Sequence, residues 1–323
     1  MTRAAVSRIS RIVVAAGLTG YILWRSDPAA VAAAAAGVDW RWIGVAVLLV
    51  LIDRALMAYR WVALLCTIEA DRRPPMAPLM RVFFVSTFVG TFLPASIGGD
   101  IVRSYRLARL NVDAGDAVAS VLMDRLLGVA SIFLMALAGL ALARDLAQNA
   151  GVVAGLVVAA LACAATLLLI FNPGTAALVA RVASRLPFGG ARRAGLKIVD
   201  SIRKYAAHAP QLLSVLACSL AVQGLRIAQA FCLGRSLGID APLAAYFAFV
   251  PLILLIMLLP VTFNGLGTSQ AAFVWFFARA GVTSAAAFAL SVLFVALGIV
   301  GNLPGAVLYA AGSGEPDARP TIS

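Results

Sequence analysis

The chain reads as long apolar runs separated by short polar stretches. The long runs are Ile9–Trp24, Trp40–Cys66, Ala117–Ala143, Val152–Phe171, Gln211–Leu233 and Ala285–Ala311. Each approaches or exceeds the roughly 20 residues a helix needs to cross the hydrocarbon core. Two further apolar runs, Leu79–Leu93 and Leu243–Leu259, are too short for a full span. Both end in Leu-Pro and meet glycine a few residues later. The first break is Phe92-Leu93-Pro94-Ala95-Ser96-Ile97-Gly98-Gly99-Asp100; the second is Leu259-Pro260-Val261-Thr262-Phe263-Asn264-Gly265-Leu266-Gly267. Irregular backbone at membrane depth is tolerated only where protein buries it or where it lines a wet cavity. The pattern therefore predicts two re-entrant hairpins facing one site.

The expected fold is an all-α polytopic membrane protein with about six full spans and two re-entrant hairpins. If one or both hairpins cross completely, the count becomes seven or eight. Each half reads as two spans, a hairpin and one span. Three crossings per half make the halves, about 9–143 and 152–311, inverted repeats, a transporter signature. Residues 1–311 then form one transmembrane domain, and 312–323 is a polar tail expected to be disordered. Ile12–Trp24 resembles a signal peptide, but the remaining topology needs an uncleaved helix, Ile9–Trp24.

Composition supports the membrane assignment. The chain is 63% hydrophobic and 12% charged, with mean hydropathy +0.98, against about half and a quarter in soluble domains. A net charge of +12 would suggest nucleic acid in a soluble protein. Here the basic residues sit between the apolar runs: Arg3, Arg8 and Arg11 at the start, Arg72 and Arg73, and seven between 172 and 210 against Asp200 alone. The segments around Asp27, Asp39, Asp145 and Asp240 are nearly neutral. The positive-inside rule then places the N-terminus in the cytoplasm and the protein in a cell membrane, by expectation the bacterial inner membrane. Only the tail, with Glu315 and Asp317 against Arg319, lends that orientation no support.

Polar residues inside apolar runs mark candidate site positions, because intramembrane charge is costly. The first break brings Gly98, Gly99, Asp100 and Arg103, and the second Asn264, Gly265, Gly267 and Gln270. The third long run carries Asp124 and Arg125. In the fifth, Gln223, Arg226 and Gln229 recur every three residues and share one helical face. In the second, Asp53, Met57 and Arg60 share a face and Arg54 lies at similar depth; Arg60 beside Trp61 also fits a membrane-surface anchor. Glycines at the breaks let backbone approach an anion, and half-helix N-termini present free N–H groups. Arg103, Arg125 and Arg226 are candidate anion ligands, with Asp100 and Asp124 positioning them or carrying a coupling proton.

Other chemistries find little support. Cys66, Cys163, Cys218 and Cys232 are widely spaced in apolar surroundings and fit neither a zinc pattern nor a disulfide framework. His208 is the single histidine. No Walker A sequence occurs, and Gly265-x-Gly267 has no strand–helix setting. No cofactor, metal, catalytic residue or nucleic-acid partner is expected.

The motif set Phe92-Leu93-Pro94, Gly98-Gly99-Asp100 with Arg103, Asp124-Arg125 with Gly128, and Asn264-Gly265-Leu266-Gly267 resembles the flippase-like transmembrane domain of the lysylphosphatidylglycerol synthase (multiple peptide resistance factor) family. The resemblance covers nearly the whole chain and implies movement of a lipid or lipid-linked head group between leaflets. Phospholipid, polyprenyl phosphate and hopanoid are the partner classes it admits, together with lipid-biosynthesis enzymes. Many members carry a glutamate shortly after the second glycine pair, where this chain has Gln270. The synthase's soluble aminoacyl-transferase domain is absent, so synthesis of lysylphosphatidylglycerol is not expected. The alternatives are a membrane transferase using a lipid-linked donor and a non-transporting partner of lipid or glycan biosynthesis enzymes.

Overall fold

A computed structural model describes residues 28–68, 75–92, 97–108, 112–142, 207–258 and 266–311 continuously, with scattered positions in 21–24 and 153–205. The expected first span, most of Val152–Phe171, the break tips at 93–96 and 259–265 and the tail 312–323 lie outside the described residues.

The elements in order are α1 (Pro28–Ala36), α2 (Trp40–Ile68), α3 (Met76–Phe92), α4 (Ile97–Ala108), α5 (Ala114–Leu142), α6 (Ala209–Ser236), α7 (Leu243–Leu258), α8 (Thr268–Phe277) with a 3₁₀ turn Ala278–Ala280, α9 (Ser284–Val300) and α10 (Leu303–Ala311). Among the described residues every regular element is helical. Four helical segments are long and apolar enough to cross a membrane: Trp40–Thr67, Ala114–Ala141, Ala209–Ser236 and Ser284–Ala311. They correspond to four of the six expected spans. The chain is an all-α, multi-pass membrane protein.

Local chemistry sets the helix ends. Asp39 Oδ1 accepts from Arg41 N–H at 2.9 Å ahead of α2, and Thr283 Oγ1 caps α9 by accepting from Ala286 N–H. Helix α6 ends in a Schellman arrangement: Ile239 N–H reaches Gly234 C=O and Gly238 N–H reaches Arg235 C=O. The left-handed φ of +69° this needs falls on Gly238.

The last span is not continuous. It breaks at Gly301–Asn302, ahead of Pro304, which has no N–H to continue the ladder. Asn302 N–H turns to Ile299 C=O, and the Gly298 carbonyl accepts from Arg54 Nη2 instead.

Two pairs of short helices fold back on themselves. Helix α4 returns along α3: a Cβ on Gly90 would lie 2.9 Å from Gly99 Cα, and one on Gly99 would lie 2.9 Å from the Ser86 carbonyl oxygen. Helix α8 returns along α7 through aromatic rings, with Tyr246–Phe277 centroids at 5.0 Å and Phe249–Phe277 at 5.4 Å.

The hairpins open toward opposite ends of the bundle. Near the open end of α3–α4, Leu79, Leu107 and Val112 cluster with Leu65 at the end of α2. Tyr205 O–H donates to Leu64 C=O there, and Lys204 Nζ bridges both oxygens of Asp116 at the start of α5. Burial pushes the Tyr205 phenol well above its ordinary pKa. At the other end, Asp39 N–H donates to Ser236 C=O, joining the start of α2 to the end of α6 beside the open end of α7–α8.

Small residues set the close approaches, as expected where lipid gives helices no reason to associate by hydrophobicity alone. A Cβ on Gly139 would fall 2.5 Å from the Phe247 carbonyl oxygen, seating α5 on α7. Gly305 similarly seats α10 on the backbone of α3 at Phe84. Arg60 and Trp61 are 4% and 0% exposed. They face the protein interior, which overturns the surface-anchor reading.

Candidate functional site

The buried charges meet in one cavity of about 280 Å³, walled by α2, α3, α4, α5, α6, the end of α7 and the α9–α10 break. Five arginines line it: Arg54, Arg60, Arg103, Arg125 and Arg226. Asp100, Asp124 and Gln223 lie on the same wall, with Gly99 at the first break and Leu258 at the tip of the second hairpin. Asp53 sits behind it, 1% exposed.

Asp124 is the central anion. Its Oδ1 accepts from Arg60 Nε at 2.9 Å and lies 2.6 Å from Arg60 Nη2. Its Oδ2 lies 3.6 Å from Arg103 Nη1. Arg60 Nη1 also donates to Ser219 Oγ at 3.0 Å, adding α6 to the same knot. Arg103 Nε donates to Ser86 Oγ at 3.3 Å, and its guanidinium lies over Phe83 and Trp61, 4.5 and 5.1 Å from the ring centroids. Helix α4 is thus bound to α2, α3 and α5 through one side chain. A buried ion pair contributes little net stability, but removing one partner is severe because the other charge stays buried.

Arg125 belongs to a second pair. Its Nε and Nη2 donate to Asp100 Oδ2 and Oδ1 at 2.8 and 3.2 Å, a bidentate fork. The Arg125 side chain is 43% exposed and that of Asp100 15%, so this pair lies toward the outside of the cavity and links α4 to α5. Adjacent residues Asp124 and Arg125 therefore bind opposite charges on other helices, Asp124 on α2 and α4 and Arg125 on α4, rather than each other.

The third group is Asp53, Arg54 and Arg226. Asp53 Oδ2 is 3.5 Å from Arg54 Nη1, and Oδ1 is 3.6 Å from Arg226 Nε. Both arginines also donate to Met57 Sδ, at 3.4 and 3.3 Å.

The structure gathers most of the residues singled out in the sequence. Gly99, Asp100, Arg103, Asp124, Arg125, Arg226, Arg54, Arg60 and Gln223 line the cavity. Gly98 sits in the first turn of α4 beside it. Asn264 and Gly265 lie outside the described residues. Gly267 and Gln270 do not reach the cavity wall. Gly267, at φ +85°, caps α8, and its N–H donates to Gln270 Oε1, which also accepts from Ser269 Oγ. Gln270 is thereby absorbed in a local cap. Gln229 is buried among apolar residues of α6 and is not on the wall.

Several wall residues carried no sequence expectation. Thr87 and Thr91 recur four apart on α3, and Thr91 Oγ1 accepts from Asn302 Nδ2 at 2.8 Å. Behind the wall, the buried Ser131 Oγ accepts from Gln223 Nε2 at 3.1 Å. The i, i+4, i+7 series Ser219, Gln223 and Arg226 was available as a signal, since it extends one polar face of α6.

Among the described residues, five guanidinium groups against three carboxylates (Asp53, Asp100 and Asp124) leave two positive charges around the cavity. Among the described residues no group of three His, Cys, Asp or Glu side chains is placed to hold a metal ion. The site is therefore suited to an anion that also offers hydrogen-bond acceptors.

No curated protein matches the chain significantly. Residues 8–305 match the family model described as the lysylphosphatidylglycerol synthase TM region. That match embraces both hairpins and every wall of the arginine cavity, and the chain belongs to the lysylphosphatidylglycerol synthase transmembrane-region family.

Proposed function

We propose that the protein moves a lipid or lipid-linked anionic head group between leaflets by alternating access, without catalysing covalent chemistry. One observation carries this reading: five arginines converge on a cavity inside a bundle of membrane-spanning helices. A charge at such depth is expensive, and membrane proteins hold it where substrates or ions pass. A head group would enter the cavity while its acyl or prenyl chains stay in lipid. The exposed apolar flank of α4, with Ile101 and Tyr105, offers a surface along which those chains can lie.

The hairpins supply a physical means of alternation. They open toward opposite ends of the bundle, as expected of inverted halves. Displacing α4 from α5 breaks the Asp100–Arg125 fork, which lies toward the outside of the cavity with the Arg125 side chain 43% exposed. In this reading both hairpins are re-entrant, the basic segments face the cytoplasm, and the protein sits in the bacterial inner membrane.

Leaflet exchange in proteoliposomes tests the proposal. Fluorescent phospholipids of different head groups are reconstituted with purified protein, and dithionite accessibility is followed. Exchange of one anionic head-group class by wild type, lost in Arg103→Ala, supports it. No exchange by folded wild-type protein, with or without a proton gradient, overturns it.

A further inference from the structure

The five wall arginines are not equivalent. Arg60, Arg103 and Arg125 are committed. Arg60 and Arg125 each make a carboxylate contact below 3 Å. Arg103, whose contact to Asp124 is also long at 3.6 Å, is held in addition by Ser86 and two aromatic faces. Arg54 and Arg226 are held far more weakly. Their contacts to Asp53 are 3.5 and 3.6 Å, beyond the usual range of charge-assisted hydrogen bonds, about 2.7–2.9 Å.

The other acceptors around this pair are poor. Both guanidinium groups donate to Met57 Sδ, and a thioether sulfur is a weak acceptor. Arg54 Nη2 reaches Gly298 C=O only at 3.4 Å. Arg54 Nε is buried with no hydrogen-bond partner. A guanidinium offers five donors, so the pair has many more donors than it uses. Among the described residues Asp53 is the single carboxylate paired with these two guanidinium groups, leaving one positive charge uncompensated. Both side chains and Met57 lie on the cavity wall, and the Arg54 and Arg226 side chains stay 14% and 20% exposed, so each presents part of its surface to space a ligand can occupy.

The geometry also suits one bridging anion. Because both groups touch the same sulfur, their nitrogens are no farther apart than the sum of the two contacts. A phosphate accepting bonds of about 2.8 Å through two of its oxygens spans such a gap.

We propose that Arg54 and Arg226 form a phosphate seat, binding the phosphate ester of a head group together, whereas Arg60, Arg103 and Arg125 tie the helices to one another. Met57 occupies the donors when the seat is empty. The anion replaces its sulfur with strong acceptors and balances the charge that Asp53 leaves. The inference rests on the reading of the cavity as the head-group site.

Calorimetric titration of the full-length protein in neutral detergent tests it. The probes are inorganic phosphate, dioctanoyl phosphatidylglycerol and dioctanoylglycerol. Wild type binds the first two and not the third. Tighter binding of phosphatidylglycerol than of phosphate identifies a lipid source; equal binding identifies free phosphate. Arg54→Gln and Arg226→Gln each weaken binding about tenfold or more, the effect of losing a charge-assisted contact. Arg125→Gln stays within about threefold of wild type, as expected when an exposed pair is broken.

Where a glutamine variant does not fold, Arg226→Lys and Met57→Leu replace it. The lysine variant keeps the charge without the fork and binds more weakly than wild type but measurably. The leucine variant keeps both guanidinium groups and binds no more weakly than wild type. Absence of phosphate binding by folded wild type overturns the seat, as does a loss in Arg125→Gln equal to that in Arg226→Gln. The seat and the translocation reading fail separately. Phosphate binding with the expected variant pattern but no leaflet exchange leaves the seat and removes translocation. Leaflet exchange undiminished in both glutamine variants leaves translocation and removes the seat.

Discussion

The two hairpins share a geometry and differ in chemistry. In α3–α4 two glycines set the contact and charged side chains bind the return helix to its neighbours. In α7–α8 the contact is aromatic: Tyr246 and Phe249 of α7 meet Phe277 of α8 edge-on at 5.0 and 5.4 Å, and Phe277 stacks on Phe273 of its own helix at 5.7 Å. Aromatic packing is non-specific in register only at a cost, because each pair contributes about 0.5–1.5 kcal/mol beyond burial. Ion pairs can be exchanged for another partner or for a ligand. The comparison teaches that a charged hairpin is suited to move during a cycle and an aromatic one to hold the frame.

The largest expected effect breaks the aromatic side of this comparison. Phe277 is fully buried, and Phe277→Ala should cost about 3–5 kcal/mol, read as a lower melting temperature in detergent. Arg103→Ala should leave the fold in place but free α4 from Asp124, which retains Arg60. We expect a loss of about 1–3 kcal/mol and abolished leaflet exchange. Equal damage to exchange by a stability-matched α7–α8 variant would erase the distinction between the hairpins.

Glycine substitutions sharpen the comparison further. Gly99→Ala drives a Cβ against the Ser86 carbonyl and should cost about 1–3 kcal/mol by overpacking. Gly224→Ala meets nothing within 4 Å, and alanine is favoured over glycine within a helix by about 0.5–1 kcal/mol. Its melting temperature should therefore rise.

The smallest effect lies at the rim, outside both hairpins. A hydrogen bond from Lys197 holds the Asp113 carboxyl below the usual carboxylate range and raises the Lys197 ammonium. The contribution of a depressed carboxylate is present above its ordinary pKa and fades as pH falls through its folded one. That of the raised lysine fades as pH rises beyond its ordinary range. Asp113 should therefore titrate below a free carboxylate in side-chain NMR, and Lys197→Ala should move it back toward the ordinary value, with the Gly115 N–H bond keeping part of the depression.

Much of the fold was legible because apolar length is a direct record of membrane thickness. Trp40–Cys66 and Gln211–Leu233 match α2 and α6 to within a few residues at each end. The kink at Gly301–Asn302 was missed, though Pro304 stood three residues beyond Gly301 as a signal. Arg60 was ambiguous because an arginine beside tryptophan looks the same at a membrane surface and inside a bundle. Only the partner distinguishes them, and Asp124 is 64 residues away. Charge at depth marked the site, but pairing did not follow from adjacency: Asp124 binds Arg60 and Arg103, while Arg125 binds Asp100. Gln270 shows the opposite error. A polar residue after a glycine break reads as a ligand, while its nearest donor is the Gly267 N–H three residues back.

The most direct test of the account joins the two hairpins in one experiment. In a cysteine-free background, Asp100→Cys/Arg125→Cys is bridged with a short cleavable bifunctional maleimide, and Tyr246→Cys/Phe277→Cys is bridged in the same way. Leaflet exchange of an anionic phospholipid is measured before bridging, after it and after cleavage. The account predicts that the first bridge stops exchange, that cleavage restores it, and that the second bridge leaves it unchanged. Exchange that persists with α4 fixed to α5 would contradict it.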